Sequence, residues 1–173
     1  MADLTLVPWS DADLATLRRS NVPEMMEYLG GPESEQKLLE RHERYLRLNR
    51  EGTAQMYRIA TAEHPEGVGV IGFWEHDWNA EAALEAGWSV EPAHQGRGLA
   101  TAALEAIAER AAATRPGLAL YAFPRVDNTA SNAICRKAGL SFEGEADFEY
   151  PKGNPIRSNV WVLRPRTPDD VAE

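Results

Sequence analysis

The spacing of hydrophobic positions shifts along the chain, and each shift marks a change of element. Leu4-Thr5-Leu6-Val7-Pro8 reads as a short strand. Ser10 or Asp11 can cap a helix running to about Arg19, because their side chains accept hydrogen bonds from first-turn amides. Residues 22–29 read as a second short helical piece, stopped by Gly30-Gly31-Pro32. Ser34 opens a clearer helix in which Leu38, His42, Tyr45, Leu46 and Asn49 share one side. Glu51-Gly52 ends it. The pattern then becomes β: residues 54–61, residues 68–77 and residues 83–90 form an antiparallel meander turned at His64-Pro65-Glu66-Gly67 and again between Asp77 and Glu81. Gly69 and Gly72 interrupt the middle strand, as glycines do where a strand bulges or another backbone comes close.

From Gly98 the period changes to that of a helix. Leu99, Ala103 and Ile107 form one stripe, and Ala100, Leu104, Ala108 and Ala111 the adjoining one. Arg115-Pro116-Gly117 stops this helix. Residues 118–123 show little alternation, as expected of a strand buried on both faces. Asp127 or Asn128 caps a helix to Lys137, closed by Gly139. Two strands follow, residues 142–150 and 158–163, joined through Pro151-Lys152-Gly153-Asn154-Pro155. The expected architecture is α+β: a mixed, mostly antiparallel sheet with flanking helices. It forms one domain over residues 1–165, with residues 166–173 a frayed tail.

Composition narrows the function. At 173 residues with 43% hydrophobic and 26% charged residues, the chain suits one ordinary globular domain. A formal net charge of −9 argues against a nucleic-acid partner and mildly favours cationic ones, amines included. No apolar run is long enough to span a bilayer. The stretch from Met1 to Pro8 lacks the basic n-region of a signal peptide, and the only cysteine is Cys135, so a cytoplasmic location is expected. His42, His64, His76 and His94 show no paired metal-ligand spacing, and no metal is expected.

The chemistry concentrates where a strand ending at Val90 leads through Gln95-Gly96-Arg97-Gly98 into a helix. A helix N-terminus leaves amide N–H groups unpaired and carries partial positive charge. Glycines there let a diphosphate approach those amides, and Arg97 adds a fixed charge. A glycine-rich turn with Arg97 merely solvated is the plainer reading. The GxxxxGK[ST] loop is absent. Gly96-Arg97-Gly98-Leu99-Ala100-Thr101 imitates a dinucleotide fingerprint, yet it places Thr101 at the third glycine and follows antiparallel strands.

At these residues the chain resembles the GCN5-related N-acetyltransferase (GNAT) superfamily, and within it the ribosomal-protein-alanine-acetyltransferase-like branch. Gln95-Gly96-Arg97-Gly98-Leu99-Ala100 satisfies the superfamily signature Q/R-x-x-G-x-G/A. The wider run from Trp88 to Thr101 looks like that branch's strand, loop and helix start. A second block, Asn128-Thr129-Ala130-Ser131-Asn132 through Arg136-Lys137-Ala138-Gly139-Leu140, is similar to the family's N-x-x-S…K-x-G-F segment, with Leu140 in place of phenylalanine. Leu4 to Trp9 and Asp13 also resemble the branch's opening, so the likeness covers nearly the whole chain.

The resemblance implies an acyl-CoA-binding fold and transfer of an acetyl group from acetyl-CoA to a primary amine of a small molecule, amino acid or peptide N-terminus, with homodimer formation left open. It assigns the amides of Gln95, Gly96, Arg97, Gly98, Leu99 and Ala100 to the pyrophosphate. Trp88, Ser89 and Val90 would pair with the pantetheine arm, and the Val90 amide would polarise the thioester carbonyl. Asn128 would hydrogen-bond the pantetheine. Cys135 stands where many members carry a tyrosine acid, which leaves the acid unassigned; Ser131 and Ser141 are weaker candidates. A protonated amine must lose a proton before it attacks. The segment Phe73-Trp74-Glu75-His76-Asp77 is the densest source of bases, and strand alternation sends Glu75 and His76 to opposite faces; the resemblance, in which this strand often carries a glutamate, implies Glu75 as the base. Acceptor specificity is expected from residues 23–50 and 148–158. A module that binds acyl-CoA without turnover is the competing reading.

Overall fold

The N-terminal strand and the meander build the first half of one sheet in the computed structural model, which describes residues 3–167. β1 (Thr5–Pro8), β2 (Ala54–Ala60), β3 (Gly69–Trp78) and β4 (Glu81–Val90) pair antiparallel in that order. The β3–β4 turn is two residues long, and both Asn79 and Ala80 have positive φ, 51° and 63°. That twist matches the flanking strands, so the turn fixes the register. Pairing runs unbroken from Trp78↔Glu81 to Gly69↔Val90. Gly69 and Gly72 therefore mark no bulge; they mark close approach. A Cβ on Gly69 would collide with the Ser89 carbonyl oxygen, and one on Gly72 with the Met56 sulfur.

Between β1 and β2 the chain covers one face of the sheet with α1 (Leu14–Ser20), α2 (Pro23–Met26) and α3 (Glu35–Glu51). The Ser34 hydroxyl accepts the Lys37 amide to start α3, and Gly52 at φ 76° ends it. Leu38 and His42 are buried, and Tyr45 and Leu46 pack with Trp9, Leu17, Met56, Val70 and Trp74. Asn49 clasps both the N–H and the carbonyl of Met56. The Trp9 indole donates to His42 Nδ1 at 3.0 Å, which makes His42 a structural residue with its proton on Nε2.

β4 is followed by α4 (Leu99–Thr114), which crosses the opposite face and returns the chain to β5 (Leu120–Ala122), parallel to β4. α5 (Thr129–Lys137), β6 (Ser141–Glu149) and β7 (Pro155–Leu163) complete the order β1-β2-β3-β4-β5-β7-β6. β7 starts at Pro155, ahead of the expected residue 158, because the ladder continues to Glu149↔Pro155 at the mouth of the turn. The main core lies under α4 and α5, where Leu99, Ala103, Leu104, Ile107 and Cys135 meet Ile71, Phe73, Leu84, Ala86 and Trp161. The tail beyond residue 167 lies outside the described residues. Among those described, no helix is long and apolar enough to cross a membrane.

One feature of the sheet positions the site. β4 and β5 pair only at Leu84↔Leu120 and Glu85↔Tyr121. β4 runs on to Val90, so the two strands part and leave a splay between them, with α4 beginning at its open end.

Candidate active site

The splay presents backbone on one side. Glu91 N–H donates to the Val68 carbonyl at 2.8 Å, and Leu84 N–H donates to the Ala119 carbonyl at 2.9 Å. Backbone groups alternate sides along an antiparallel strand, so the odd-numbered residues of β4 turn to β3 and the even-numbered ones to β5. The N–H groups of Trp88 and Val90 therefore point into the splay, past the end of the β4–β5 pairing. Ser89 does not join them: its backbone is paired towards Val70. Of the three consecutive residues expected to meet the pantetheine, two alternate ones, Trp88 and Val90, turn their N–H groups to the splay.

At the open end the Gln95 side chain donates to the Val90 carbonyl at 2.8 Å and ties the loop to the strand. Gly96 and Gly98 have φ of 75° and 77°, a conformation that side chains resist, and a Cβ at either would point into open space. Gly98 is the N-cap of α4, and its carbonyl accepts the Ala102 amide, the first bond of the helix. The amides of Leu99 and Ala100 have no intrahelical acceptor, and buried Leu99 anchors that turn in the core. Arg97 is exposed beside them. The arrangement is a ring of N–H donors at a positive helix end, open to a diphosphate. Trp88 adds a buried indole N–H with no partner.

Asn128 caps α5, its side-chain oxygen accepting the Ser131 amide at 3.2 Å. That leaves its NH2 group available to a ligand. Asn132, overlooked in the sequence, holds this helix start in place. It donates to the Arg125 and Asn128 carbonyls and accepts from Asn159 and from the Trp161 indole. Cys135 is fully buried, and desolvation pushes its thiol up to about 12. An acid that weak cannot protonate the thiolate of coenzyme A, whose pKa is about 8.5 as for an ordinary thiol. Ser141 opens β6, the outer edge strand, with β7 between it and β5. It pairs with Val162, which pairs with Tyr121, so a whole strand separates it from the splay.

The other side of the splay is built from side chains, and here the structure corrects the sequence. Glu75 points to the α4 face and pairs with Arg115, at the far end of α4 from the glycine loop, at 3.4 Å. It does not face the splay. His76, on the opposite face, does. Its Nδ1 lies 3.3 Å from Glu85 Oε2, and the Trp74 indole donates to the same oxygen at 3.2 Å. Gly87 lets the Trp74 ring cross β4, since a Cβ there would sit 2.7 Å from it. Glu85 is the last β4 residue paired with β5, so its carboxylate stands where the strands part. Burial raises its pKa above the ordinary carboxylate value, against the lowering effects of His76 and the Trp74 N–H. The β3–β4 turn is the sequence signal that could have found it: a two-residue turn at Asn79-Ala80 puts Glu85 opposite Trp74, on the face of His76.

The two segments expected to shape acceptor binding meet over this face. Gly30 abuts Pro151, and the Tyr28 ring stacks on the Arg125 guanidinium at 5.4 Å. Among the described residues, no cluster of His, Cys, Asp and Glu could hold a metal ion.

Comparison with known proteins bears on the fold and the family. Residues 3–141 match the family model of the acetyltransferase (GNAT) domain. No curated protein sequence matches the chain. Among solved structures, a RimL ribosomal L7/L12 α-N-protein acetyltransferase in complex with coenzyme A, joined to one of its cysteines by a disulfide, superposes with a TM-score of 0.78 at 22% identity, covering 95% of this chain and 96% of that one. The acetyltransferase from Salmonella typhimurium that modifies the N-terminal serine of the same ribosomal protein gives 0.76 at 22%, covering 96% and 97%. The aminoglycoside acetyltransferase AAC(6')-Ib in complex with coenzyme A gives 0.73 at 19%, covering 94% and 95%. At such identities these structures share the fold. The family model spans most of the chain, and this chain belongs to the GNAT acetyltransferase family.

Proposed function

We propose that this acetyl-CoA-dependent N-acetyltransferase binds its donor along the backbone side of the splay and activates its amine acceptor with Glu85. Acetyl-CoA supplies the activated acetyl group; the amine nitrogen forms the new C–N bond as the C–S bond breaks. In this reading the amides from Gly96 to Ala100, with Arg97, hold the pyrophosphate, while the expected Gln95 amide is taken by the Pro92 carbonyl at 3.3 Å. The N–H groups of Trp88 and Val90 are the donors available to the thioester carbonyl, where negative charge develops. Asn128 supplies a donor to the pantetheine.

Glu85 replaces Glu75 as the proposed base. It takes the first proton from the ammonium, directly or through one water, at roughly 10 Å along the strand from Trp88. His76 and Trp74 hold its carboxylate in place. A second proton, released from nitrogen once the C–N bond has formed, neutralises the leaving thiolate, so no separate acid is needed. The observation that carries this reading is the placement of Glu85: a partly buried carboxylate of raised pKa at the point where β4 and β5 part, on the face opposite α4.

The expected result is that saturating acetyl-CoA raises the melting temperature and that thiol is released when an amine is added. A melting curve unmoved by both acetyl-CoA and coenzyme A would overturn donor binding. A shift without thiol release across a broad amine panel would favour a binding module that has lost turnover.

A further inference from the structure

The acceptor side of the splay is aromatic. Trp78 from β3, Phe123 just past β5 and Phe148 from β6 form a triangle, with ring centroids 4.8, 5.1 and 5.6 Å apart. Tyr121 stacks behind Phe123 at 5.8 Å. The His76 ring joins the patch to the base, 5.6 Å from Phe123, with Nδ1 beside Glu85. Trp78, Phe123 and Phe148 are each only partly buried, so the triangle keeps an accessible surface. These rings come from three separate strands, and the apolar surface continues directly from the carboxylate.

The charge of this face is also selective. Arg125 is neutralised by Asp127 through paired contacts at 3.1 and 3.0 Å. Among the described residues, the Glu85 carboxylate pairs with His76 and the Trp74 N–H. The partners of the carboxylate are the His76 and Trp74 rings, an arrangement that offers one carboxylate to one ammonium. The segment of residues 27–31 spans from Arg125 and Asp127, through Tyr28, to Pro151, through Gly30. That bridge ties together the segments that follow Phe123 and Phe148.

We propose that the acceptor is a small primary amine carrying an aromatic ring on a short linker, its ammonium at Glu85 and its ring on Trp78, Phe123 and Phe148. This rests on the acetyltransferase reading above. The ring would gain apolar contact and edge-to-face stacking, and the ammonium a charge-assisted bond in a partly desolvated site.

The test is a thiol-release assay on the full chain at saturating acetyl-CoA with 2-phenylethylamine, tryptamine, propylamine, spermidine and a peptide with a free serine N-terminus. The two arylalkylamines are expected to exceed propylamine in kcat/KM by about tenfold or more. In Phe148→Ala, which removes one partly buried ring from an edge strand, that ratio should fall towards one, chiefly through KM. Phe148→Leu, which keeps most of the packing volume, should give an intermediate ratio, and melting curves check that both variants fold. Equal kcat/KM for propylamine and the arylalkylamines would overturn the inference and leave acetyl transfer standing. So would a clear preference for spermidine or the peptide. Turnover of none of the five, with acetyl-CoA still raising the melting temperature, would overturn the catalytic reading and this inference with it.

Discussion

The two sides of the β4–β5 splay are made of different material. The side proposed for the donor is backbone: amides of Trp88, Val90, Leu99 and Ala100, released by the end of strand pairing, by glycine φ angles and by a helix start. The side proposed for the acceptor is side chains: Glu85, His76 and Trp74, followed by a patch of rings from β3, β6 and the end of β5. Backbone donors serve any sequence that reproduces the loop, and so they suit the part of the substrate that never changes. Side chains brought together across strands can be exchanged one at a time, and so they suit the part that does. Constant chemistry is held by geometry and variable chemistry by composition.

The largest effect should come from breaking the acceptor side at its carboxylate. Glu85→Gln keeps the size of the side chain and an acceptor for the Trp74 N–H but removes the basic oxygen. Turnover at neutral pH should fall by about 10²–10⁴-fold with donor affinity nearly unchanged. The defect should shrink at high pH, where free amine is abundant. The matched variant is Glu75→Gln, which disturbs only an exposed ion pair with Arg115 on the other face and should cost no more than about 1 kcal/mol of stability, with turnover within a few-fold of the parent. Steady-state kinetics of the two, side by side, decide the matter. A slow Glu75→Gln beside an active Glu85→Gln would show that the acceptor approaches from the α4 face.

The donor side should break at Gly98, with a smaller effect. A Cβ at this position meets nothing in the protein, so valine would not disturb the core. It would, however, resist φ of 77° and fill the space in front of the α4 amides. Gly98→Val should weaken acetyl-CoA binding by about ten- to a hundredfold while the fold survives, as titration calorimetry and circular dichroism would show together. A folded variant with the parent's dissociation constant would remove the pyrophosphate from this loop.

The same division explains what the sequence made legible. Strands, helices and the α+β architecture follow from local periodicity, and the loop proposed for the donor is one contiguous run, Gln95 to Ala100. The acceptor side is assembled from residues far apart in the chain, such as Trp78 with Phe148 and Trp74 with Glu85. Local alternation correctly separates Glu75 from His76 but cannot say which of them meets the splay. That choice depends on which helix pair covers each face, a property of the whole sheet. Glu85 sits within Ala83-Leu84-Glu85-Ala86, where nothing local distinguishes it from a solvated strand residue. Ser89 shows the same limit on the donor side, because its orientation follows from hydrogen-bond alternation with β3.

The smallest expected effect concerns stability, and it tests whether burial tunes Glu85. Desolvation raises the pKa of this carboxyl in the folded protein above its ordinary value of 4.5. The folded state therefore holds the Glu85 proton more tightly than the unfolded chain does. Stability from this group is fully present below the ordinary carboxylate range and is lost as pH rises through the raised folded value. At neutral pH the parent carries a partly desolvated charge that Glu85→Gln lacks. The variant should thus melt at a higher temperature than the parent at pH 7–8, and the gap should close as pH falls towards about 4, where both side chains are neutral. Melting curves across that range measure the gap directly. An enzyme that gains stability while losing turnover on this substitution would be accepting a strained charge for the sake of its base. A gap that widens towards acid would mean that His76 and the Trp74 N–H outweigh burial; Glu85 would then be an ordinary ion-pair partner and too weak a base for the role assigned to it.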